Sequence, residues 1–417
     1  MAGYLVEERP DWRRWTTPKP LAEKPVHRWY VFPHSFTSEL VHALIDEWGL
    51  GPADCLLDPF AGAGTTLLAA KEKGIPAAGY DLSPLAVLVT RAKIADYNLP
   101  GLFRTWHRLK EGLDPRRWKY GQGMPCPFTR NYPDLVQKAL PDRVLAAFDA
   151  IDRNIASLAD TEAKRSFFRT ALLAILPRYS RAVATGGWLK WVAGEVDAGG
   201  IPAALTERVE AMLADLQEAK FPRRSREWRI GRADARQLPD PPSVYSAVIT
   251  SPPYPNRHDY TRVFGIELMF GFLDRIELRK LRYQSFHSHP EARPERPAAK
   301  DYAPPPGLVR AVAEIRAKSN DPRVPRMIEG YFLDLYICLR ELRRVCRPGA
   351  KVALVVGNAR YCGEPVLVDE LTAEIGEQAG LTSEKLLAVR YRGNSAQQMG
   401  SYGRSPSRES VVIFRKR

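Results

Sequence analysis

The segment Ser251-Pro252-Pro253-Tyr254 directly follows an apolar run, VYSAVIT, that ends at Thr250. Proline keeps its carbonyl but has no N–H, so a Ser-Pro-Pro turn presents a hydroxyl and an acceptor carbonyl with no competing donor from either proline. Such a site suits an NH2 group. An exocyclic amine on a nucleobase is a poor nucleophile because its lone pair is delocalised into the ring. Two acceptors drawing on its N–H bonds favour sp3 character and aim the lone pair at an electrophile. Tyr254 adds a flat face on which a base rotated out of a duplex can stack. This chemistry requires neither a metal nor a covalent nucleophile. Taken alone, Pro-Pro-Tyr is equally a rigid turn carrying a half-buried tyrosine.

A second segment, Asp58-Pro59-Phe60-Ala61-Gly62-Ala63-Gly64-Thr65-Thr66, lies between a short apolar run and a helical stretch. Glycines there let backbone approach a ligand closely, with helix N–H groups pointing at it. The pattern is not a P-loop, because Lys71 lies too far downstream, and it is not G-x-G-x-x-G, because residue 67 is Leu. Asp81 and Asp234 each follow a further strand-like segment. Carboxylates at strand ends above a parallel sheet can accept hydrogen bonds from ribose hydroxyls and a purine amine. A tight turn with two helix-capping acids is the alternative for this set.

The elements that must position these residues alternate. FTSELVHALIDEW (36–48) places Phe36, Leu40, Leu44 and Trp48 on one helical stripe, with Thr37 at its start. Strand-like Cys55–Leu57, a helix over Thr65–Lys73, a strand over Ile75–Tyr80 and a helix from Ser83-Pro84 to Ala95 follow, a pattern that implies a parallel sheet covered by helices. From Asp96 to about 227 the pattern turns helical, at Leu135–Leu158, Glu162–Leu176 and Pro202–Ala219, and is read as an inserted helical subdomain. Strands resume at Trp228–Ile230 and Tyr245–Thr250. Residues 275–326 are Arg- and Pro-rich with little periodicity and are read as a loop or lid. A helix over Met327–Cys346, a strand over Lys351–Gly357, a helix over Val366–Glu377 and strands at Leu386–Tyr391 and Ser410–Phe414 complete the chain.

Together, strand-Asp-Pro-Phe-x-Gly-x-Gly and strand-Ser-Pro-Pro-Tyr resemble the S-adenosylmethionine-dependent exocyclic-amino DNA methyltransferases, and the Ser-Pro-Pro-Tyr form is most similar to the N4-cytosine branch. The resemblance covers about residues 27–95 and 228–415. It implies an α/β fold with a Rossmann-like seven-stranded methyltransferase sheet and a catalytic domain of 27–95 and 228–417, which leaves 1–26 as an N-terminal extension. It also leaves 96–227, outside the resemblance and away from the family's commonest place for a target-recognition domain, as an inserted helical subdomain that is a candidate for target recognition. It also implies that Phe60, Gly62 and Gly64 line the cofactor, that Asp58 faces its methionine amino group, Asp81 its ribose and Asp234 its adenine, and that Thr37 and Ser38 approach its carboxylate. Ser251, Pro252 and Tyr254 would hold the target base, with Pro253 stiffening the turn. His258 and Asp259 match no shared catalytic position and are read as helix-start or backbone-contacting residues. Adenine-N6 methylation of DNA, methylation of an RNA or tRNA base, and a nucleic-acid-binding module on an inactive scaffold stay open as alternatives.

Composition agrees with a polyanionic partner. The 417 residues carry 62 Lys and Arg against 48 Asp and Glu, a formal net charge of +14. Basic clusters at Arg116, Arg117 and Lys119, at Lys220, Arg223, Arg224 and Arg226, and at Arg279, Lys280, Arg282, Arg293 and Arg296 can each neutralise phosphates or lie solvated on the surface. Gln397, Gln398 and Arg404, in a loop between two strands, are types that read base edges. Five cysteines without a C-x-x-C pair point to reduced thiols, as in a cytoplasmic protein. His287 and His289 lack further ligands, so no metal site is expected. No apolar run approaches bilayer-spanning length, so no membrane partner is expected, and the chain is expected to act as a monomer or homodimer.

Overall fold

The computed structural model describes residues 4–113, 130–185, 188–194, 196–222, 227–392 and 406–417. Arg116, Arg117, Lys119, Arg223, Arg224, Arg226, Gln397, Gln398 and Arg404 lie outside these described residues. The first part of the chain forms β1 (Val6–Glu8), α1 (Ser38–Trp48), β2 (Leu56–Asp58), α2 (Thr65–Glu72), β3 (Ala77–Asp81) and α3 (Pro84–Ile94). Pro84 opens α3, whose N-cap Ser83 accepts from the Ala86 N–H as the sequence suggests, while Thr37 holds the N-cap position of α1 without a side-chain capping bond. Next come α4 (Leu99–Glu111), α5 (Asp134–Ala139), α6 (Asp142–Leu158), α7 (Glu162–Ile175), the hairpin β4 (Ala182–Thr185) with β5 (Trp188–Trp191), and α8 (Ile201–Glu218). The chain re-enters the sheet as β6 (Trp228–Arg232) and β7 (Tyr245–Thr250), then runs through α9 (Tyr260–Val263), α10 (Gly265–Gly271), α11 (Arg275–Gln284), α12 (Pro306–Lys318) and α13 (Arg323–Val345). It ends with β8 (Cys346–Gly357), the small pair β9 (Ala359–Tyr361) and β10 (Glu364–Val366), then α14 (Val368–Gln378), β11 (Thr382–Arg392) and β12 (Ser407–Arg415).

The main sheet has the order β1-β11-β12-β8-β7-β2-β3-β6. Strands β6, β3, β2, β7 and β8 are parallel, while β12 runs antiparallel to both β8 and β11. Seven of these strands are the Rossmann-like methyltransferase sheet. The eighth comes from the N-terminal extension, whose Val6 pairs in parallel with Leu386 on β11, the outermost of the seven. With one apolar residue and two acids, VEE, this strand gives no sequence signal. Its backbone pairing, with the burial of Trp12 and Leu21 after it, ties the extension down.

Side-chain alternation puts the two faces of the sheet into two cores. Ala247, Ile249, Val411 and Ile413 pack with α1 and α2 on one face, and Val248, Val412 and Phe414 pack with α13 and α14 on the other. The helices between α3 and α8 share a third core with α3, α10 and Trp29.

Three sequence readings need correction here. The helix read over 135–158 is two helices, because Pro141 lacks the N–H an unbroken ladder needs. Helix α4 lies ahead of the first helix read in the insertion, at Leu135, although Asn98 caps it and Leu102, Trp106 and Leu109 are buried along one stripe. Residues 275–326 are not a plain loop: α11 starts with a reciprocal Asp274–Glu277 capping box, and α12 buries Leu308, Val312 and Ile315.

The extension contributes to stability through Trp12, which is 2% exposed, stacks near Trp15 at 5.2 Å between ring centres and carries the Arg9 guanidinium 4.2 Å above its ring. Trp12→Ala is expected to lower unfolding free energy by about 3 kcal/mol or more in urea titration. A loss under about 0.5 kcal/mol, the scale of surface substitutions, would show that the extension only rests on the sheet.

Candidate active site

Chain order reverses between β2 and β7. From β2 the sheet grows outward through β3 and β6, and from β7 it grows the other way through β8. Ligands of open α/β sheets bind at the carboxyl ends of strands at such a switch point. Asp58 ends β2, and Thr250 ends β7 with Ser251 immediately after it. The register pairs Leu57 with Val248, so the two loops leave the sheet side by side. A hydrogen bond joins their roots: the Thr250 hydroxyl donates to Asp58 Oδ1 at 2.6 Å, and the Phe60 N–H donates to the same oxygen at 3.1 Å. Burial of Asp58 pushes its carboxyl up to about 6, opposed by hydrogen bonds from Thr250, Thr66 and Phe60.

The glycine loop is fastened from its other side by Asp81. Its Oδ2 accepts from the Gly62 N–H at 2.9 Å and its Oδ1 from the Ser83 N–H at 2.8 Å, and burial raises its carboxyl above the ordinary value. Gly62 and Gly64 have φ of +51° and +79°. At Gly64 a Cβ would also fall 2.7 Å from Thr90 Oγ1, so both conformation and close approach require glycine there.

On the other strand, the Ser251 hydroxyl donates to the Val355 carbonyl at 3.0 Å. Its proton is thereby committed, and its oxygen is left to accept. The Tyr254 hydroxyl donates to Glu409 Oε1 at 3.0 Å, and its ring lies so close to the end of β8 that a Cβ at Gly357 would meet Cε2 at 2.9 Å. Glu409 is itself 1% exposed and also accepts from Thr16 at 3.1 Å and Arg392 at 2.6 Å, with Arg390 Nε 3.1 Å away. Burial holds the Tyr254 phenol well above its ordinary value.

One cavity of about 180 Å3 is lined by Asp58, Phe60, Gly62, Asp81, Asp234, Ser251, Pro252, Pro253 and Tyr254 together. Gly64 is not on its wall. Neither are Thr37 and Ser38: both are buried, and the Ser38 hydroxyl accepts from Lys24 at 2.7 Å. His34, Ser35 and Phe36, just before them, line the cavity instead. Asp234 reaches the wall already paired, with its oxygens taking Arg236 Nε at 2.9 Å and Nη2 at 2.7 Å. Arg236 in turn reaches the fully buried Asp334 at 3.1 Å.

Residues 8–90 match the N6_N4_Mtase family, described as DNA methylase. Over 99% of its length the chain is 30% identical to Type II methyltransferase M.BsoBI of Geobacillus stearothermophilus, covering 90% of that protein. The chain belongs to the Type II DNA methyltransferases. It is also 28% identical to Type II methyltransferase M.AvaI of Nostoc sp., over 94% of this chain and 87% of that one. Among solved structures, TrmN from Thermus thermophilus aligns with 98% of this chain and 54% of its own at 13% identity and a TM-score of 0.32, a likeness too slight to bear on function.

Several residues of this DNA methyltransferase were not singled out from the sequence. Glu409 had a signal, a lone acid in the apolar strand SRESVVIFR. His34 had none, since only the fold brings its Nε2 to 2.8 Å from that of His258, a residue read from the sequence as helix-start or backbone-contacting; burial lowers His34 to about 4, with His258 and Arg392 adding to the effect. Asp259 caps α9 through the Thr261 N–H, as read. Asp259, His289 and Glu291 converge, but Arg262 and Arg282 lie against Asp259 and Arg262 and Arg323 against Glu291, so cations already occupy the carboxylates. His287 turns away to Asp334 at 2.9 Å. Of the basic cluster at 279–296, Arg282 is tied to Asp259 and Arg296 to Asp334, while Arg279 and Lys280 are exposed. Among the described residues no helix is long and apolar enough to cross a membrane.

Gly64→Ala is expected to destabilise the protein by about 1–3 kcal/mol, from a left-handed φ and from overpacking against Thr90. The same change in a Thr90→Ala background should cost less, because only the steric part is relieved. Equal melting temperatures for Gly64→Ala and the unsubstituted protein would contradict this account.

Proposed function

We propose that this DNA methyltransferase moves a methyl group from S-adenosylmethionine to the exocyclic N4 of a cytosine turned out of the duplex. The observation that carries the reading is the common cavity of the glycine loop and the Ser251–Tyr254 turn. Two rigid bends at adjacent strand ends are what an in-line transfer between two bound molecules needs, since orientation supplies most of the rate.

The donor set suits the cofactor. Asp58 is a buried carboxylate for a cationic amino group, Asp81 ends a strand within reach of ribose hydroxyls, and Phe60 and Phe286, edge to face at 5.7 Å, form an apolar wall for an adenine ring near Asp234. Phe60 and Gly62 line this half of the cavity, and Gly64 holds the loop's shape from behind. When bound, the sulfonium supplies a methyl carbon already activated for displacement. The chain's own part is to hold and polarise the amine. Ser251 Oγ, its proton engaged by Val355, accepts one N–H; a carbonyl of the proline turn accepts the other; Pro253 keeps the turn rigid; Tyr254 stacks on the base.

Serine at the first position of the turn favours cytosine over adenine as the target, and the helical region of 96–227 is the element we assign to face the DNA. The reading extends to a cytoplasmic enzyme working as a monomer or homodimer. Hydrolysing DNA from cells that express the protein and identifying the modified nucleoside tests the target directly: N4-methylcytosine is expected, and N6-methyladenine would overturn the choice of base.

Ser251→Ala, Pro252→Ala and Tyr254→Ala are each expected to leave cofactor affinity within about threefold and to lower the rate of methyl transfer by about a hundredfold, the scale of removing one polarising contact. Tyr254→Phe keeps the ring and should lose less. Loss of cofactor binding in all three alanine variants would contradict the assignment.

Asp58 gives the pH dependence. Its carboxyl in the folded protein is pushed up to about 6 from an ordinary 3.8, so below pH 6 the free site holds a proton that a cationic amino group must expel. Cofactor affinity is expected to rise about tenfold per unit up to pH 6 and level off above it. Stability runs the opposite way: the buried charge costs nothing below about 4 and its full amount above 6. Asp58→Asn should therefore flatten the binding profile, weaken affinity by about 10- to 100-fold at pH 8, and leave the fold at least as stable there. Calorimetric titration across pH 5–8 decides it.

A further inference from the structure

The hairpin β4–β5 is a two-stranded ribbon outside the main sheet, pairing Ala182 with Trp191, Val183 with Lys190 and Ala184 with Leu189. Its base is fixed: the Arg181 N–H donates to the Ala139 carbonyl at 2.8 Å, the Val192 N–H to the Arg181 carbonyl at 2.7 Å, and Ala182 is buried. Beyond the base, Val183, Ala184 and Thr185 are exposed in succession, so both faces of β4 meet water. On β5, Leu189 is half-buried against the helical core, while Lys190 and Trp191 are exposed. Val183, Trp191 and Val192 are 40%, 49% and 47% exposed. A two-stranded ribbon is marginal in water, and large apolar side chains displayed on one favour an occupant that covers them.

Position and charge indicate which occupant. Strand β5 lies against α9, whose Tyr260 and Thr261 belong to the wall of the cavity that also holds Ser251–Tyr254. From Arg181 to Gly194 the sequence contains two cations, Arg181 and Lys190, and no acidic residue. A ribbon is one of the two protein elements that a major groove admits, and Lys190 and Trp191, successive on β5 and so on opposite faces of it, offer a phosphate contact on one face and a stacking face on the other. We propose that the β4–β5 ribbon enters a groove of the DNA duplex beside the cavity, with Lys190 on a phosphate and Trp191 against the bases next to the one that leaves the stack. This rests on the reading of the cavity as the place where a DNA base is methylated, and it names the element that holds the duplex there.

The test uses the full-length protein and a duplex carrying the sequence found methylated in expressing cells. Binding is measured by fluorescence anisotropy over a range of salt concentrations. Trp191→Ala is expected to raise Kd about tenfold, the fold-change of losing one base–aromatic contact, and Trp191→Phe to stay within about threefold of the unsubstituted protein. Lys190→Ala should lower the slope of log K against log salt by about one, since one phosphate contact is lost. Melting temperature and cofactor affinity should be unchanged in all three, because the substituted side chains are exposed. A Kd within twofold of the unsubstituted value for both Trp191→Ala and Lys190→Ala overturns the ribbon's role. So does a shift from dimer to monomer in Trp191→Ala with duplex affinity retained, which would assign the ribbon to a second copy of the chain. If the unsubstituted protein neither binds nor methylates the duplex, the reading of the cavity fails first, and the two failures are thus distinguishable.

Discussion

The arrangement depends on a single hydrogen bond between strand ends, Thr250 Oγ1 to Asp58 Oδ1 at 2.6 Å. Two loops of opposite chemistry, one glycine-rich and one proline-rich, must open onto the same space. Parallel pairing of β2 with β7 brings their roots together but leaves each loop free to splay. A buried carboxylate that must be satisfied somewhere fixes them, because leaving it unpaired there would cost far more than the bond itself returns. Asp58 takes that bond from β7 and another from its own loop, so displacing either loop strands a charge. The raised carboxyl of Asp58 is the other side of the same constraint: the group that locks the cavity also resists ionisation.

Tyr254 is held by a different device. Its hydroxyl ends on Glu409, and Glu409 gathers Thr16 from the N-terminal extension and Arg390 and Arg392 from β11. An acid this deeply buried persists because two guanidiniums, a hydroxyl and a phenol surround it. The consequence is structural coupling over the whole chain. Tyr254 is anchored through Glu409 of β12 to β11 and to Thr16, which lies 393 residues from Glu409 in the chain. The N-terminal extension is thus, through Thr16, part of what holds the acid on which Tyr254 ends.

How much of this was legible follows from what kind of signal each feature leaves. Tyr245–Thr250 is legible to the residue, because five β-branched or apolar residues, interrupted only by Ser246 and buried on both faces, make a short run followed closely by Pro-Pro. Asp58, Gly62, Asp81, Ser251 and Tyr254 were legible because turn chemistry at a strand end is local. Thr37 and Ser38 were placed toward the ligand by resemblance, and the fold puts the residues just before them on the wall, since the chain enters α1 with Ser38 already turned to Lys24. Strand β1 is illegible because VEE shows no apolar alternation: backbone pairing with β11, Val6 against the core and the Tyr391 hydroxyl donating to Glu8 hold it, and the segment itself announces none of these. Helices α11 and α12 escape notice for another reason: counting prolines and arginines over the whole stretch hides two short periodic runs, Leu278 and Leu281 in one and Leu308, Val312 and Ile315 in the other.

The same segment shows why a basic excess is a poor map of a nucleic-acid surface. Arg282 and Arg296 sit within a few residues of Arg279 and Lys280, and by sequence all four belong to one cluster. In the fold, Arg296 and Arg236 converge on Asp334, which is 0% exposed, while His287 donates to the same carboxylate from the loop after α11. Burial would push the Asp334 carboxyl up, yet these cations and the His287 contact hold it below its ordinary value. Those charges are consumed inside the protein, where they fasten the segment after α11 to α13 and, through Arg236, to Asp234 on the cavity wall. Formal charge counts them all alike, but a phosphate meets only the cations left exposed. A ribbon with two cations and no acid therefore says more about where a polyanion docks than a longer run of arginines whose partners lie in the core.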